Sequence, residues 1–226
     1  FSLDYYLLET STGVVYRKEQ FENEDEQILK EAASKIDFMG VNYYQTSVCE
    51  YNPINGVTPY GTFNTTGVKG SGQVTGQPGL FKNPSNPYLK TTDWDWTIDP
   101  MGLRYGLREI TSRYNLPIII SENGLGSRDV LEEDKTIHDS YRIQYLKEHF
   151  EQIKEAQLDG VDILGYIMWG VIDIVSAGSC EMEKRYGVVY VDADNEGKGT
   201  YQRYKKDSFE WYKNFIKSEK ERFHVK

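Results

Sequence analysis

Residues Ile118-Ile119-Ile120-Ser121-Glu122-Asn123-Gly124 constrain the fold more than any other stretch of this 226-residue chain. Three consecutive β-branched residues suit a strand buried on both faces, the pattern of a parallel sheet covered by helices. The run ends abruptly in a carboxylate, an amide and a turn glycine. In barrels and doubly wound sheets, that C-terminal strand end is where ligands bind. The competing reading, that Glu122 caps the next element and faces water, fits this stretch alone equally well. Its surroundings decide between the two.

Helices and strands alternate around it. After a polar, irregular first stretch, Ile28, Leu29, Ala32 and Ala33 stand at helical spacing and predict a short helix over 26–35. A strand over 37–44 follows. Residues 45–99 are rich in Gly, Asn, Pro and Thr without sustained period, and so long a loop in a compact domain is generally functional or disordered. A helix over 101–114 starts behind Pro100, where a proline is tolerated. The Ile118 strand comes next. Tyr141, Ile143, Tyr145, Leu146, Phe150, Ile153 and Ala156 stripe a helix over 136–158, stopped by Asp159-Gly160. Strands over 161–169 and 186–191 and a last helix over 204–220 complete the chain. Such alternation means parallel βαβ units. An eight-stranded barrel takes ~250 residues, so three principal strands predict part of one.

Composition narrows the function class. Aromatics make up 14% of the chain, with 18 Tyr and 4 Trp. Their flat apolar faces with one polar handle serve sugar-binding clefts, and ordinary packing equally. A net charge of −9 argues against a nucleic-acid partner. It leaves room for an anionic small molecule, because a local site can be basic on an acidic protein. Cys49 and Cys180 lack a CxxC spacing, which indicates neither a disulfide framework nor zinc and fits a reducing cytosol. His138, His149 and His224 are not spaced as metal ligands, and no cofactor is implied. No apolar run approaches a membrane span, and Phe1-Ser2-Leu3-Asp4 does not open a signal peptide. The expectation is a soluble cytoplasmic protein without a membrane partner.

The three strands end in Asn42 and Tyr44, in Glu122, and in Trp169. Side chains at the C-terminal ends of neighbouring parallel strands converge on one mouth. A carboxamide, a phenol, a carboxylate and an indole there suit a saccharide, with polar groups on hydroxyls and the indole on the ring's C–H face.

Residues 37–44 (Asp-Phe-Met-Gly-Val-Asn-Tyr-Tyr), 119–124 (Ile-Ile-Ser-Glu-Asn-Gly), 159–161 (Asp-Gly-Val) and 165–169 (Gly-Tyr-Ile-Met-Trp) resemble glycoside hydrolase family 1. That family comprises β-glucosidases, β-galactosidases and 6-phospho-β-glycosidases. The similarity runs from about residue 20 to the last helix. It implies an α/β fold, the C-terminal portion of a (β/α)8 TIM barrel, with 1–226 as part of one domain whose N-terminal strands lie outside the chain. The resemblance makes Glu122 the nucleophile and Tyr44 its hydrogen-bonding neighbour. It makes Asn42 and Trp169 glycone contacts and Trp96 an aromatic wall toward the aglycone. A retaining glycosidase pairs such a nucleophile with an acid/base carboxylate ~5–5.5 Å away. Tyr44 can keep Glu122 ionised by donating to it.

Substrate class turns on residues 176–186. Family members acting on unphosphorylated sugars carry Glu-Trp where this chain has Ser176-Ala177. A carboxylate there would repel a 6-phosphate of roughly −1.5 to −2 charge. Ser176, Lys184 and Tyr186 match the phosphate signature of the 6-phospho-β-glycosidases, in which Lys supplies a mobile point charge and Ser and Tyr neutral donors. Ala177 in place of tryptophan tilts the choice toward 6-phospho-β-glucosides, such as a phosphorylated disaccharide or aryl β-glucoside. Ser176 and Ser179 are both open as the hydroxyl donor. The competing reading of Lys184-Arg185 is a solvated strand entry. Asp139 and Arg142 have the spacing of a surface or barrel-packing pair. Acidic runs at 22–26 and 132–134 read as solvated.

No Asn-Glu-Pro, the family's acid/base motif, occurs in the chain, nor do its early glycone-binding motifs. A working hydrolase therefore needs a partner, the N-terminal part of the same enzyme. The alternatives are a 6-phospho-β-galactosidase, an unphosphorylated β-glucosidase, and an inactive fragment or binding module.

Overall fold

The computed structural model describes residues 23–57, 64–72 and 74–224. Helix α1 spans Asn23–Ala33 and leads into strand β1, Met39–Asn42. Helix α2, Pro100–Tyr114, shows why these residues form this element. Asp99 caps it, its side chain accepting from the Gly102 amide at 2.9 Å, and Pro100 occupies the first turn, where its missing N–H costs nothing. Asn115 ends it in the left-handed region (φ 49°), with its N–H bonded to the Thr111 carbonyl.

Strand β5, Ile118–Asn123, lies between β1 and β6, Ile163–Met168, parallel to both. Ile118 and Ile120 are fully buried. They share one apolar cluster with Leu103 and Leu107 of α2 and with Leu146, Phe150 and Ile153 of helix α3, Ser140–Leu158. Helix α4, Asp207–His224, packs Phe209, Trp211, Tyr212 and Phe215 against it. Phe150 is the pivot, with the rings of Phe215 at 4.5 Å and Tyr166 at 4.7 Å. Truncating a side chain so placed costs about 3–5 kcal/mol.

The helices cover one face. Ile119 on the other face is only half-buried, so the isoleucine run is not enclosed on both sides as the sequence predicts. Leu164 and Ile167 of β6 are exposed by 54% and 56%. In the sheet order β1-β5-β6, the outer edges of β1 and β6 carry no strand among the described residues.

The expected strand over 186–191 shrinks to β7, Val189–Val191, and does not join the parallel sheet. It pairs antiparallel with β8, Arg203–Lys205, because the chain folds back through a turn in which the Asp194 carboxylate binds the amides of Glu196 and Lys198. The last helix consequently begins at Asp207 rather than 204. The described residues of 45–99 hold more regular structure than their composition suggests. They contain a three-stranded antiparallel sheet in which β4, Phe81–Asn83, lies between β2, Glu50–Tyr51, and β3, Thr75–Gln77. Helix α3 starts four residues later than predicted, since Glu132 and Thr136 close a turn and the Ile137 carbonyl accepts from Asp207. Glu132, Glu133 and Asp134 are exposed, as read, whereas the side chains of 22–26 lie outside the described ones.

Candidate active site

Backbone hydrogen bonds tie the three strand ends side by side. Asn42 pairs with Glu122 after a local register shift, the Tyr43 amide donates to the Glu122 carbonyl (2.8 Å), and the Trp169 amide donates to that of Asn123 (2.8 Å). Asn123 fixes the junction. It is fully buried, donates Nδ2 to the Tyr43 carbonyl (2.7 Å) and the Tyr145 hydroxyl (2.9 Å), and accepts from the Tyr166 hydroxyl (2.8 Å). A buried amide so saturated holds its backbone in one place. Glu122, its neighbour, is thereby aimed into the mouth.

The Tyr44 hydroxyl donates to Glu122 Oε2 at 2.9 Å. Burial, and then the Glu122 carboxylate, push the Tyr44 phenol well above its ordinary range, so it stays protonated and remains a donor. Asn42 accepts from the Ser121 hydroxyl at 2.8 Å. Trp96 meets the Tyr44 ring edge-on at 5.4 Å, and Tyr186 meets it edge-on at 6.4 Å.

Lys184 completes this corner. Its Nζ lies 3.9 Å from the Trp96 ring centroid, 5.2 Å from Trp94 and 5.9 Å from Tyr186. The residue is only 3% exposed, and burial pushes its ammonium down to about 8, with the Glu181 carboxylate acting in the opposite direction. Burial raises the Tyr186 phenol, and the neighbouring Ser176 hydroxyl acts in the opposite direction. Ser179 donates its hydroxyl to Ser176 Oγ at 3.0 Å. Ser176 is therefore the serine against Tyr186, and Ser179 stands behind it. Ala177 is exposed beside them, and Trp169 is half-buried. Gly126 leaves the room that Lys184 and Tyr186 occupy, since a Cβ there would meet Lys184 Cγ and Tyr186 Cζ at 2.9 Å each. On the side of the 45–99 segment, Trp94 and Trp96 line a cleft of about 490 Å³ together with Lys69, Asn83 and Asp95.

Lys184-Arg185 is not a solvated strand entry, because both residues are buried. The Arg185 guanidinium stacks on the Tyr190 ring at 4.0 Å and donates to the carbonyls of Val191 (2.9 Å) and Ala193 (2.8 Å). Lys184 and Tyr186, on either side of it, reach the corner instead. Asp139 and Arg142 form a buried packing pair, the second of the two readings their spacing allows. Arg142 is 1% exposed and binds Asp139 (2.9 Å), both oxygens of Asp129 (2.8 and 3.0 Å) and the Leu125 carbonyl (2.6 Å). Lys206, also buried, bridges Asp129 and Asp173. This charge network lies under the segment carrying Lys184 and Tyr186. Sequence reasoning missed it, along with Asn123, Trp94 and Glu181. Asp129 is 77 residues from Lys206 and Trp94 87 from Glu181, so no local spacing exposes either pair.

Among the described residues, no group of three or more His, Cys, Asp or Glu could hold a metal ion. Nor is any helix there long and apolar enough to cross a membrane.

Parallel strands whose C-terminal ends bring together a carboxylate, a phenol and an indole, under helices on one face, define a sector of an α/β barrel. The family model for glycosyl hydrolase family 1 matches residues 6–221, and the chain belongs to that family. It is 54% identical over 187 residues to the aryl-phospho-β-D-glucosidase BglC of Bacillus subtilis (strain 168), covering 83% of this chain and 39% of that protein. Similarity to the 6-phospho-β-glucosidase of Clostridium longisporum is 41% identity over 201 residues, 87% of this chain and 38% of the relative. The family 1 β-glucosidase of Thermotoga maritima superposes with a TM-score of 0.67 at 30% identity, over 87% of this chain and 38% of that one. The chain thus spans about two fifths of the length of the curated relatives it matches, as the C-terminal portion of their TIM barrel.

Proposed function

We propose that this chain is the nucleophile-bearing, phosphate-reading part of a retaining hydrolase of 6-phospho-β-D-glucosides. In this reading Glu122 attacks the anomeric carbon, and Tyr44 orients its carboxylate by donating to Oε2. The observation that carries it is the convergence of two features in one corner: the Tyr44–Glu122 hydrogen bond and the buried Lys184 ammonium beside Tyr186 and Ser176. Aromatic edges connect them from Glu122's partner Tyr44 to Tyr186. A sugar whose anomeric carbon faces Glu122 would then present its 6-phosphate to Lys184, Ser176 and Tyr186. Asn42 and Trp169 line the glycone, and Trp96 walls the aglycone side. The names of the relatives, aryl-phospho-β-D-glucosidase and 6-phospho-β-glucosidase, support the same substrate class.

The second carboxylate comes from outside these 226 residues, which contain no Asn-Glu-Pro. The unpaired outer edges of β1 and β6 support a companion segment of the same barrel, so that 1–226 is part of one domain. A cytoplasmic location belongs to the same reading, supported by the free thiols Cys49 and Cys180.

The test is hydrolysis of 4-nitrophenyl 6-phospho-β-D-glucoside by the chain alone and after mixing with the remaining barrel portion of a matching relative. The expected outcome is no turnover alone and turnover on mixing, abolished by Glu122→Gln. No turnover with both parts folded and associated would refute the reading.

A further inference from the structure

We infer that Trp94 is a positioning residue of the anion site: its indole N–H holds the Glu181 carboxylate off Lys184 and leaves a buried ammonium open to an anionic substrate. The identity of that anion, a sugar phosphate, rests on the reading above; the geometry does not.

Trp94 is 1% exposed, and its Nε1 donates to Glu181 Oε2 at 2.9 Å. Arg128 places its guanidinium 4.9 Å from the Trp94 ring and is itself fixed by the carbonyls of Gly67 (2.6 Å) and Thr66 (3.0 Å) and by Glu183 (3.4 Å). The Trp94 amide bonds the Thr92 hydroxyl at 3.2 Å. The indole is therefore held at its face, its edge and its backbone.

Glu181 precedes Lys184 by three residues and is near enough to act on its charge. Yet among the described residues no hydrogen bond or ion pair reaches Lys184 Nζ. A buried ammonium beside a carboxylate ordinarily closes an ion pair, because an unpaired buried charge is costly. Here the indole N–H engages Glu181 Oε2 and fixes the direction of that carboxylate, while the ring faces of Trp96, Trp94 and Tyr186 support the ammonium. These rings, Glu181 and, across Trp94, the Arg128–Glu183 pair are the groups that face Lys184. An arriving phosphate then has no internal carboxylate to displace. Without the indole N–H, Glu181 would compete with the substrate for the Lys184 ammonium.

The test uses the full chain, with D-glucose 6-phosphate as the probe in isothermal titration. A second readout needs no ligand: the Lys184 pKa from NMR of labelled lysine side chains. Trp94→Phe keeps a ring beneath Lys184 and removes the N–H. It should raise the Lys184 pKa and weaken D-glucose 6-phosphate binding by about tenfold, the order of one charge-assisted hydrogen bond. Adding Glu181→Gln should bring the pKa back to the wild-type value or below and restore affinity to within about threefold. Glu181→Gln alone should change affinity by less than about threefold near pH 6.5, where Lys184 is charged either way. Two results would overturn the inference. One is a gain of about tenfold or more for Glu181→Gln alone, which would mean that Glu181 already sits on Lys184 and decides the matter even if Trp94→Phe fails to fold. The other is a folded Trp94→Phe with unchanged Lys184 pKa and unchanged affinity. A wild-type chain that ignores D-glucose 6-phosphate while Trp94→Phe still raises the Lys184 pKa would refute the phosphate reading and uphold the role of Trp94.

Discussion

Replacing Arg142 by methionine would test whether the buried charge network holds the site together. The guanidinium makes four short hydrogen bonds, to Asp139 (2.9 Å), both oxygens of Asp129 (2.8 and 3.0 Å) and the Leu125 carbonyl (2.6 Å). Methionine fills similar volume but leaves two carboxylates, both with fully buried side chains, short of their cation. Breaking a buried ion pair from one side costs about 3–5 kcal/mol. Partial compensation remains, since Asp129 keeps Lys206 and Tyr141, and Asp139 keeps the Ser208 amide and hydroxyl. The expected loss is therefore about 3 kcal/mol, near the lower end. With a urea m-value of about 2–3 kcal/mol/M, the unfolding midpoint should fall by about 1–1.5 M. Arg142→Lys should recover part of this, because one ammonium restores charge but cannot span both carboxylates and the carbonyl. The assay is equilibrium urea unfolding followed by far-ultraviolet circular dichroism. A midpoint for Arg142→Met within about 0.3 M of wild type would refute the assignment of a stabilising role to this network.

The buried imidazole of His149 gives a pH signature. Desolvation pushes it down to about 4, and among the described residues its Nε2 has no hydrogen-bond partner. An unfolded chain regains a value near 6.5, so unfolding takes up a proton between about pH 6.5 and 4, and stability falls as pH falls through that window. Between pH 7 and 5 the loss should be about 2 kcal/mol, and His149→Leu should remove that component from urea midpoints compared at the two pH values. A wild-type slope retained in the leucine variant would count against it. Gly126→Ala tests the packing of the anion corner, where the added Cβ would press on Lys184 and Tyr186. D-glucose 6-phosphate affinity should fall by about tenfold with the urea midpoint nearly unchanged, and an unaltered titration would refute the close fit.

Legibility followed the range of each signal. The central βαβ order was readable because Ile118-Ile119-Ile120 and the α3 stripe repeat within a few residues. That Tyr44 and Glu122 share one mouth was readable because both stand at strand ends that a parallel sheet must bring together, and the family resemblance supplied the hydrogen bond between them. β8 was hidden because Arg203-Tyr204-Lys205 has no apolar alternation, and β7 pairs with it instead of joining the parallel sheet. The sheet within 45–99 was hidden because strands of two or three residues are too short to show a period. Charged side chains misled most. Arg185 and Lys206 are of residue types usually solvated, but partners distant in sequence admit both to the interior.

Among the described residues the outer edges of β1 and β6 carry no strand, and edges left open set a limit on concentration. An exposed strand edge is a row of unpaired amides and carbonyls, a template on which another strand can add. On β6, Leu164 and Ile167 place uncovered apolar surface beside such a row. Copies of this chain should therefore stack edge to edge as they are concentrated. The parallel strands that bring Tyr44, Glu122 and Trp169 side by side would be the same surface through which the chain aggregates.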